Sequence, residues 1–201
     1  MGSAMQKAAD AVKEAIIHNE DAPKKASSNV AEEGVIKMGS TIFDKTKEAV
    51  ARISSGLYVV TAADKDSRSA MVASWVAQAS FEPLGLSIAV AKDRAIEYLM
   101  QDGDNFVLNC LGEEDSSGTM RHFLKPFAAD ADRFEGVPTF NEPHCARLPV
   151  LSSAIAYMRC KVVSRLETPD HWLLYCEVED GEVLRPEART AVQRRKSGTE
   201  Y

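Results

Sequence analysis

Ala70-Met71-Val72-Ala73-Ser74-Trp75-Val76-Ala77-Gln78-Ala79-Ser80-Phe81 is the stretch on which the fold turns. Its side chains are small for a β-rich segment, and Pro83 and Gly85 close it. Small side chains let another object approach the main chain closely. That object is either a tightly packed helix or a flat aromatic cofactor, the latter taking hydrogen bonds from backbone N–H groups and from Ser or Gln side chains. Composition alone leaves both open.

Strand signals flank this stretch on both sides. Leu57 to Thr61 is a short β-rich run closed by the polar turn Asp64-Lys65-Asp66-Ser67. Leu86 to Ala91 and Asn105 to Leu111 read as buried strands. Between them Asp93 is placed to cap a short helix that buries Ile96, Leu99 and Met100 and stops at Gly103. From Ala156 to Leu166, one face carries Ala156, Met158, Cys160, Val162 and Leu166, and the other Tyr157, Arg159, Lys161 and Arg165. After Thr168-Pro169-Asp170, the next strand puts Trp172, Leu174, Cys176 and Val178 on one face. Its other face holds His171, Tyr175, Glu177 and Glu179, so the pair reads as a hairpin. Six or so short strands with few helices predict a closed or half-closed antiparallel barrel.

Ahead of the barrel the pattern differs. Met1-Gly2-Ser3-Ala4-Met5 reads as a cloning scar and is set aside from the fold. Residues 6–51 read as an N-terminal helical segment and linker, and 52–201 as the barrel domain. Within the first segment, residues 6–18 form a weakly amphipathic helix and Glu20 to Gly34 a polar linker. Thr41 and Asp44 then give a capping-box pattern for a second helix that carries Ile42, Phe43, Val50 and Ile53 on one face.

Bulk properties remove several function classes. The 201 residues carry 24 basic and 30 acidic side chains, a net charge of −6, where a nucleic-acid binder would show a basic field. No apolar run approaches the ~18 residues needed to cross a bilayer, so a soluble chain is expected. The cysteines at 110, 145, 160 and 176 form no CxxC pair and have no histidine at metal-ligand spacing. Reduced, buried thiols are expected, and no metal site.

Three further places are candidates for chemistry. Ala91-Lys92-Asp93-Arg94 puts two cations at a strand end leading into a helix, where a phosphate would be met by charge and by unpaired N–H groups. A solvated turn would look the same. His171, at a strand end on the polar face, suits proton donation or contact with a cofactor ring, and equally a structural role. Met120 to Phe127, with His122, is an aromatic and basic stretch able to close over a ligand, or an ordinary surface helix end.

These residues together carry a resemblance. Met71-Val72-Ala73-Ser74-Trp75, followed by Gln78-Ala79-Ser80-Phe81 and Pro83, resembles the flavin-contact strand of short-chain flavin reductases. Val90 to Ala95, Phe106-Val107-Leu108-Asn109, His122 to Phe127 and Asp170-His171-Trp172-Leu173 keep that family's order and spacing. With the ending Arg195-Lys196-Ser197-Gly198, the longer strings are similar to the C-terminal domain of photosynthetic flavodiiron proteins of cyanobacteria and green algae.

The resemblance implies a mainly β fold, an FMN-binding split β-barrel of the flavin-reductase-like kind with flanking α-helices. It implies FMN as cofactor, NAD(P)H as reductant, and a two-fold dimer or a hetero-oligomer. Diiron and flavodoxin-like domains of a parent protein are the implied partners, and ferredoxin is a further donor it allows. Nucleic acid and membrane are not among them. Electrons would pass through flavins to reduce oxygen at the iron pair, in chloroplast stroma or cyanobacterial cytoplasm. Carried onto this chain, Met71, Val72, Ala73, Ser74, Trp75 and Gln78 would line the flavin ring. Lys92 and Arg94 would face its phosphate, Asn109 would support the flavin strand, and His171 would sit where nicotinamide arrives. Ala70 stands where the family usually has Gly, Ala77 where it usually has Ser, and Leu84 where it has a second Pro. A second reading therefore stays open: a barrel that has lost tight flavin binding and serves docking, assembly or regulation.

Overall fold

The structure is a computed structural model, and it describes residues 44–128, 131–140, 145, 147–195 and 197–199. The expected helix over 6–18, the linker after it, and Thr41, Ile42 and Phe43 lie outside the described residues. The contacts of the chain divide it between Lys45 and Thr46, and the second unit, Thr46–Tyr201, carries the barrel.

Seven antiparallel strands form the main sheet. In chain order they are β2 (Tyr58–Ala63), β3 (Arg68–Ala73), β4 (Val76–Phe81), β5 (Leu84–Ala91), β6 (Asn105–Leu111), β9 (Ala154–Glu167) and β10 (His171–Val183). Two short ladders accompany them: β1 (Ser55–Gly56) with β11 (Val192–Gln193), and β7 (Thr139–Phe140) with β8 (Val150–Leu151). The order across the main sheet is β3-β2-β6-β9-β10-β5-β4.

That order decides the shape. The small-residue stretch divides into β3 and β4, which are the two outermost strands, joined only by Ser74 and Trp75. In a flat sheet six strand spacings of ~4.8 Å would hold those edges about 29 Å apart. Three virtual Cα–Cα bonds of 3.8 Å reach at most ~11 Å. The sheet must therefore curl until its edges nearly meet. At the seam the Ala89 N–H donates to the Trp75 carbonyl at 3.0 Å, yet β3 and β4 do not join as neighbours in the ladder. The result is the curled, unclosed sheet of a split barrel.

Curling gives the strands an inside and an outside. The interior is filled by Val60, Ile88, Phe106, Leu108, Cys160, Leu174 and Cys176. Outside, Leu57, Val59, Ala70, Leu111 and Leu151 pack against Phe123 of the Ser116–Leu124 helix and against Phe134. β2 is buried on both faces, so its sequence is a continuous apolar run rather than an alternation. All four cysteines are free thiols; burial pushes Cys110 up to about 11 and Cys176 to about 12, and raises Cys160 as well.

Two local expectations change. The turn after β5 is a 3-10 helix over Glu97–Leu99 with Ile96 at its N-cap, and Asp93 makes no capping bond to it. Ile96, Leu99 and Met100 are buried as expected, and Gly103 has φ 94°, which its lack of a Cβ permits. In β9 the register shifts between Tyr175↔Ser164 and Cys176↔Val162, leaving Val163 as the extra residue. A bulge reverses the faces beyond it, so Arg165 turns inward and Leu166 outward, opposite to the simple alternation. Arg165 stacks over Trp172 at 4.3 Å and pairs with Glu97.

Asn109 holds the outer layer to the barrel. Its Nδ2 donates to the Val59 carbonyl (3.1 Å) and to Thr61 Oγ1 (3.2 Å), and its Oδ1 accepts from the Leu151 N–H (2.8 Å). Asn109→Ala should cost about 2–3 kcal/mol, because it leaves a buried N–H unpaired as well as removing bonds. A urea midpoint unchanged from the parent would count against that role.

Candidate functional site

The seam that the Ser74-Trp75 link forces into being is also a cleft. It has a volume of ≈ 170 Å³, with Ser69, Ala70, Met71 and Val72 of β3 on one side and Ala89 and Ala91 of β5 on the other. Phe123 and Leu124 form its roof, and Arg94 and Arg133 stand at its rim. The small residues are what leave room: Ala70, Ala89 and Ala91 keep the walls short. Ala70 itself is buried against the outer core, so the extra methyl relative to Gly is accommodated by packing.

Two hydroxyls in the cleft region are orphans. Ser69 lines the cleft at 4% exposure, and Ser74 lies beside it in the link at 2%. Neither Oγ has a hydrogen-bond partner among the described residues. A buried hydroxyl without a partner costs roughly 1–3 kcal/mol, so such groups in a cleft are places where a ligand atom would be welcomed.

Beside Ser74 the rings of Trp75 and His171 meet, centroids 4.8 Å apart and tilted by 38°. His171 opens β10 directly opposite Ala91, one of the cleft walls. Its Nδ1 donates to Asp170 Oδ1 at 2.9 Å, and its N–H to Thr168 Oγ1 at 3.0 Å. That bond from His171 holds the Asp170 carboxyl below the usual carboxylate range. Arg195, from the C-terminal tail, lies over the Trp75 ring at 5.3 Å.

The other sequence candidates separate. Lys92 and Arg94, two residues apart, do not converge. Lys92 Nζ pairs with Glu167 at 2.8 Å and lies over Trp172 at 5.3 Å, while Arg94 reaches the cleft rim. Gln78 and Ala77 lie at a different, apolar opening of ≈ 340 Å³ with Tyr58, Val76 and Leu108, so the alanine at 77 removes no donor from the seam. Asn109 is engaged in the bonds described above, on β6, two strands along the sheet from the cleft strand β3. Ala73 is buried at the end of β3.

Ser69 and Arg133 are the residues that sequence reasoning missed. Ser69 immediately precedes the small-residue run, which is a usable signal. Arg133 is far from that run in the chain and is delivered by a tether: Arg68 holds the neighbouring Asp132 through Nε (3.1 Å) and Nη2 (2.5 Å), and His122 Nε2 bonds the Arg133 carbonyl at 2.7 Å. The guanidinium of Arg133 sits 4.9 Å over Phe127, within the stretch expected to close over a ligand.

Residues 50–198 match the flavin reductase like domain. The chain belongs to that family. A diflavin flavoprotein A of Nostoc sp. is 55% identical over 166 residues, 83% of this chain and 29% of that protein. Diflavin flavoprotein A 1 of Synechocystis sp. is 43% identical over 198 residues, 92% of this chain and 34% of that protein. The chain thus spans about a third of the length of these curated relatives. Among solved structures, the NADH:FAD oxidoreductase of Streptomyces globisporus, determined with NAD and FAD fragments, superposes with a TM-score of 0.63. Identity there is 21%, over 72% of this chain and 84% of that one, a likeness of fold. Among the described residues no helix is long and apolar enough to cross a membrane.

The tether can be tested through its pH dependence. The hydrogen bond from Arg68 keeps the Asp132 carboxyl below its ordinary value. A depressed folded pKa adds stability above the unfolded value, and that stability is lost as pH falls through the folded one. Arg68→Ala should therefore lower stability at neutral pH by less than ~1 kcal/mol for so exposed a pair, read as a lower melting temperature. The parent and variant curves should converge as pH drops below the carboxylate range; a gap that persists in acid would refute the ion pair as its source.

Proposed function

We propose that this domain binds FMN in the seam cleft and passes electrons from NAD(P)H toward the other domains of a longer, diiron- and flavodoxin-containing protein. The observation that carries the reading is the cleft of a flavin-reductase-family barrel, lined by the orphaned buried hydroxyl of Ser69 and by Arg94 and Arg133, with the second orphaned hydroxyl, Ser74, in the adjoining link. Those residues fit the group: short walls for a flat ring, hydroxyl and main-chain donors for its polar edge, and cations for its phosphate. When bound, the flavin supplies the capacity to take a hydride and release electrons.

The chain's own part is placement. Met71, Val72 and the backbone through Ser74 line the ring edge, and Ser74 Oγ gives it a hydrogen-bond partner. Arg94 and Arg133 hold the phosphate, with guanidinium geometry suited to two oxygens at once. Phe123 and Leu124 exclude water from above. His171, its proton fixed on Nδ1 by Asp170, flanks the approach to the ring together with Trp75. For hydride transfer the protein need only bring two rings into register.

A second copy is part of the same proposal. β4 is an outermost strand whose next edge carries no ladder partner among the described residues, and Phe81 at its tip is 89% exposed, with Leu84 50% exposed beside it. An unprotected apolar edge of this kind is expected to be covered, by a second copy or by another domain of the parent protein. The same feature supports the alternative role in docking or assembly. The proposal extends to a cyanobacterial cytoplasm or chloroplast stroma and to a role in oxygen photoreduction; the cyanobacterial origin of the relatives supports the first of these settings.

Spectroscopy decides between the readings. FMN added to the protein should show a perturbed visible spectrum and altered fluorescence; an unchanged spectrum would sink the flavin reading and leave the docking role. If FMN binds, Arg94→Ala and Arg133→Ala should each weaken it by roughly tenfold or more, the effect of a lost charge-assisted bond. Riboflavin, which lacks the phosphate, should be much less affected. Lys92→Ala should have the smaller effect, since Lys92 pairs with Glu167 and does not line the cleft, as Arg94 does. Equal losses for FMN and riboflavin would refute the phosphate assignment.

A further inference from the structure

The C-terminal tail is fastened at two places. Upstream, the bridge between Gly112 and Thr190 is followed by Ala191, which is buried, donates its N–H to the Leu111 carbonyl at 2.8 Å and accepts from the Leu57 N–H at 3.0 Å. The β1–β11 ladder, Ser55↔Gln193 and Gly56↔Val192, completes this anchor. Downstream, the Gly198 N–H donates to the Lys47 carbonyl at 2.9 Å. Lys47 belongs to the helix over residues 44–50, which lies just ahead of β1 in the chain.

The second anchor has no room for a side chain. A Cβ at position 198 would stand 2.8 Å from Val50 Cβ and 2.9 Å from the Lys47 carbonyl oxygen, so only glycine permits the approach. Five backbone steps, at most about 18 Å, join Gln193 to Gly198, and the segment between them spans fixed ends. Arg195 lies on this span. Its guanidinium sits 5.3 Å over the Trp75 ring, and Trp75 in turn meets His171 at 4.8 Å. Among the described residues Arg195 pairs with no carboxylate, so the ring is its contact. An attraction between cation and ring face thus ties the tail to the residue that crosses from β3 to β4.

We propose that this tail is a strap: clamped at Gly198 to the helix over 44–50, it holds Arg195 on Trp75 and so sets the Trp75–His171 pair beside the seam. Arg195 is a positioning residue. It acts through Trp75 and His171 on the register of the two rings that exchange the hydride, where small displacements slow the transfer. The clamp also joins the helix ahead of β1 to the seam, so a shift of that helix reaches His171 through the strap. The inference rests on the flavin reading, in which Trp75 and His171 flank the approach to the ring.

Trypsin, NMR of the indole N–H groups and NADH oxidation test it on the purified chain. Trypsin cuts after Arg194 and Arg195, and cleavage tracks the population of the released tail, so Gly198→Val should speed it roughly tenfold or more. Arg195→Met removes the charge and should shift the indole N–H resonance of Trp75 while leaving that of Trp172 in place. Arg194→Met, the same change one residue away, should move neither. With FMN bound, Arg195→Met should slow NADH oxidation about fivefold or more while FMN affinity stays within about twofold, and Arg195→Lys should recover most of the rate. Melting temperatures near the parent's will show that the barrel is intact in each variant. Cleavage unchanged by Gly198→Val, or a Trp75 resonance unmoved by Arg195→Met, overturns the strap, and both are read without flavin. A shifted resonance with an unaltered NADH rate overturns the positioning role. A parent that binds no FMN removes the flavin reading and the positioning role with it, while the first two measurements still decide the strap.

Discussion

Two residues, Ser74 and Trp75, carry the chain from one edge of a seven-stranded sheet to the other, and nearly everything else in the molecule follows from how short that passage is. The link is too short for a flat or gently twisted sheet, so the sheet curls. Curling encloses an apolar interior and brings β3 beside β5 without a ladder between β3 and β4. The same restraint that shapes the barrel therefore opens the cleft in its wall. Had the link been long enough to lie over an open sheet, there would be neither seam nor cleft.

The seam is polar where the barrel is apolar, and this asymmetry directs the chemistry. Inside, thiols, aliphatic chains and Phe106 pack together, and the one opening described on this side, at Leu86 and Leu108, is apolar. Along the seam, two serine hydroxyls are buried without a hydrogen-bond partner among the described residues, small walls leave space, and cations line the cleft. A fold that leaves hydrogen-bonding capacity unspent in one place is less stable than it might be there. It is correspondingly ready to bind. The tether through Arg68 and Asp132, with Phe134 packed in the outer layer and His122 bonded to the Arg133 carbonyl, adds a cation to that place.

Much of this was legible in the sequence, and the part that was not has physical causes. β6 appears over the expected residues and the β9–β10 hairpin around the expected turn, because alternation and turn chemistry are local signals. The small-residue stretch was recognised as the decisive segment, and Met71, Val72 and Arg94 do meet in one cleft. That it would break into two strands at opposite edges was not visible, since nothing local marks Ser74-Trp75 as a crossing. The bulge at Val163 was invisible for the same reason: register is fixed by the partner strand, and it inverted Arg165 and Leu166. Lys92 and Arg94 look equivalent in sequence, yet the hairpin places Glu167 next to Lys92, while Arg94 pairs with its neighbour Asp93 and lines the cleft with it. Arg133 is brought in by tertiary bonds alone.

The positions of the tryptophans have an optical consequence. The chain has two, and they sit in different electrostatic settings. Trp172, held between Lys92 and Arg165, belongs to the barrel wall and the hairpin. Trp75, held between His171 and Arg195, belongs to the seam and to the C-terminal tail. An indole beside protonated and unprotonated imidazole differs in emission yield, and a flavin lying along the seam would quench the nearer indole by energy transfer. The molecule thus carries one built-in lamp for the integrity of its barrel and another for events at its seam, and phenylalanine replacement of either would let the two be watched separately.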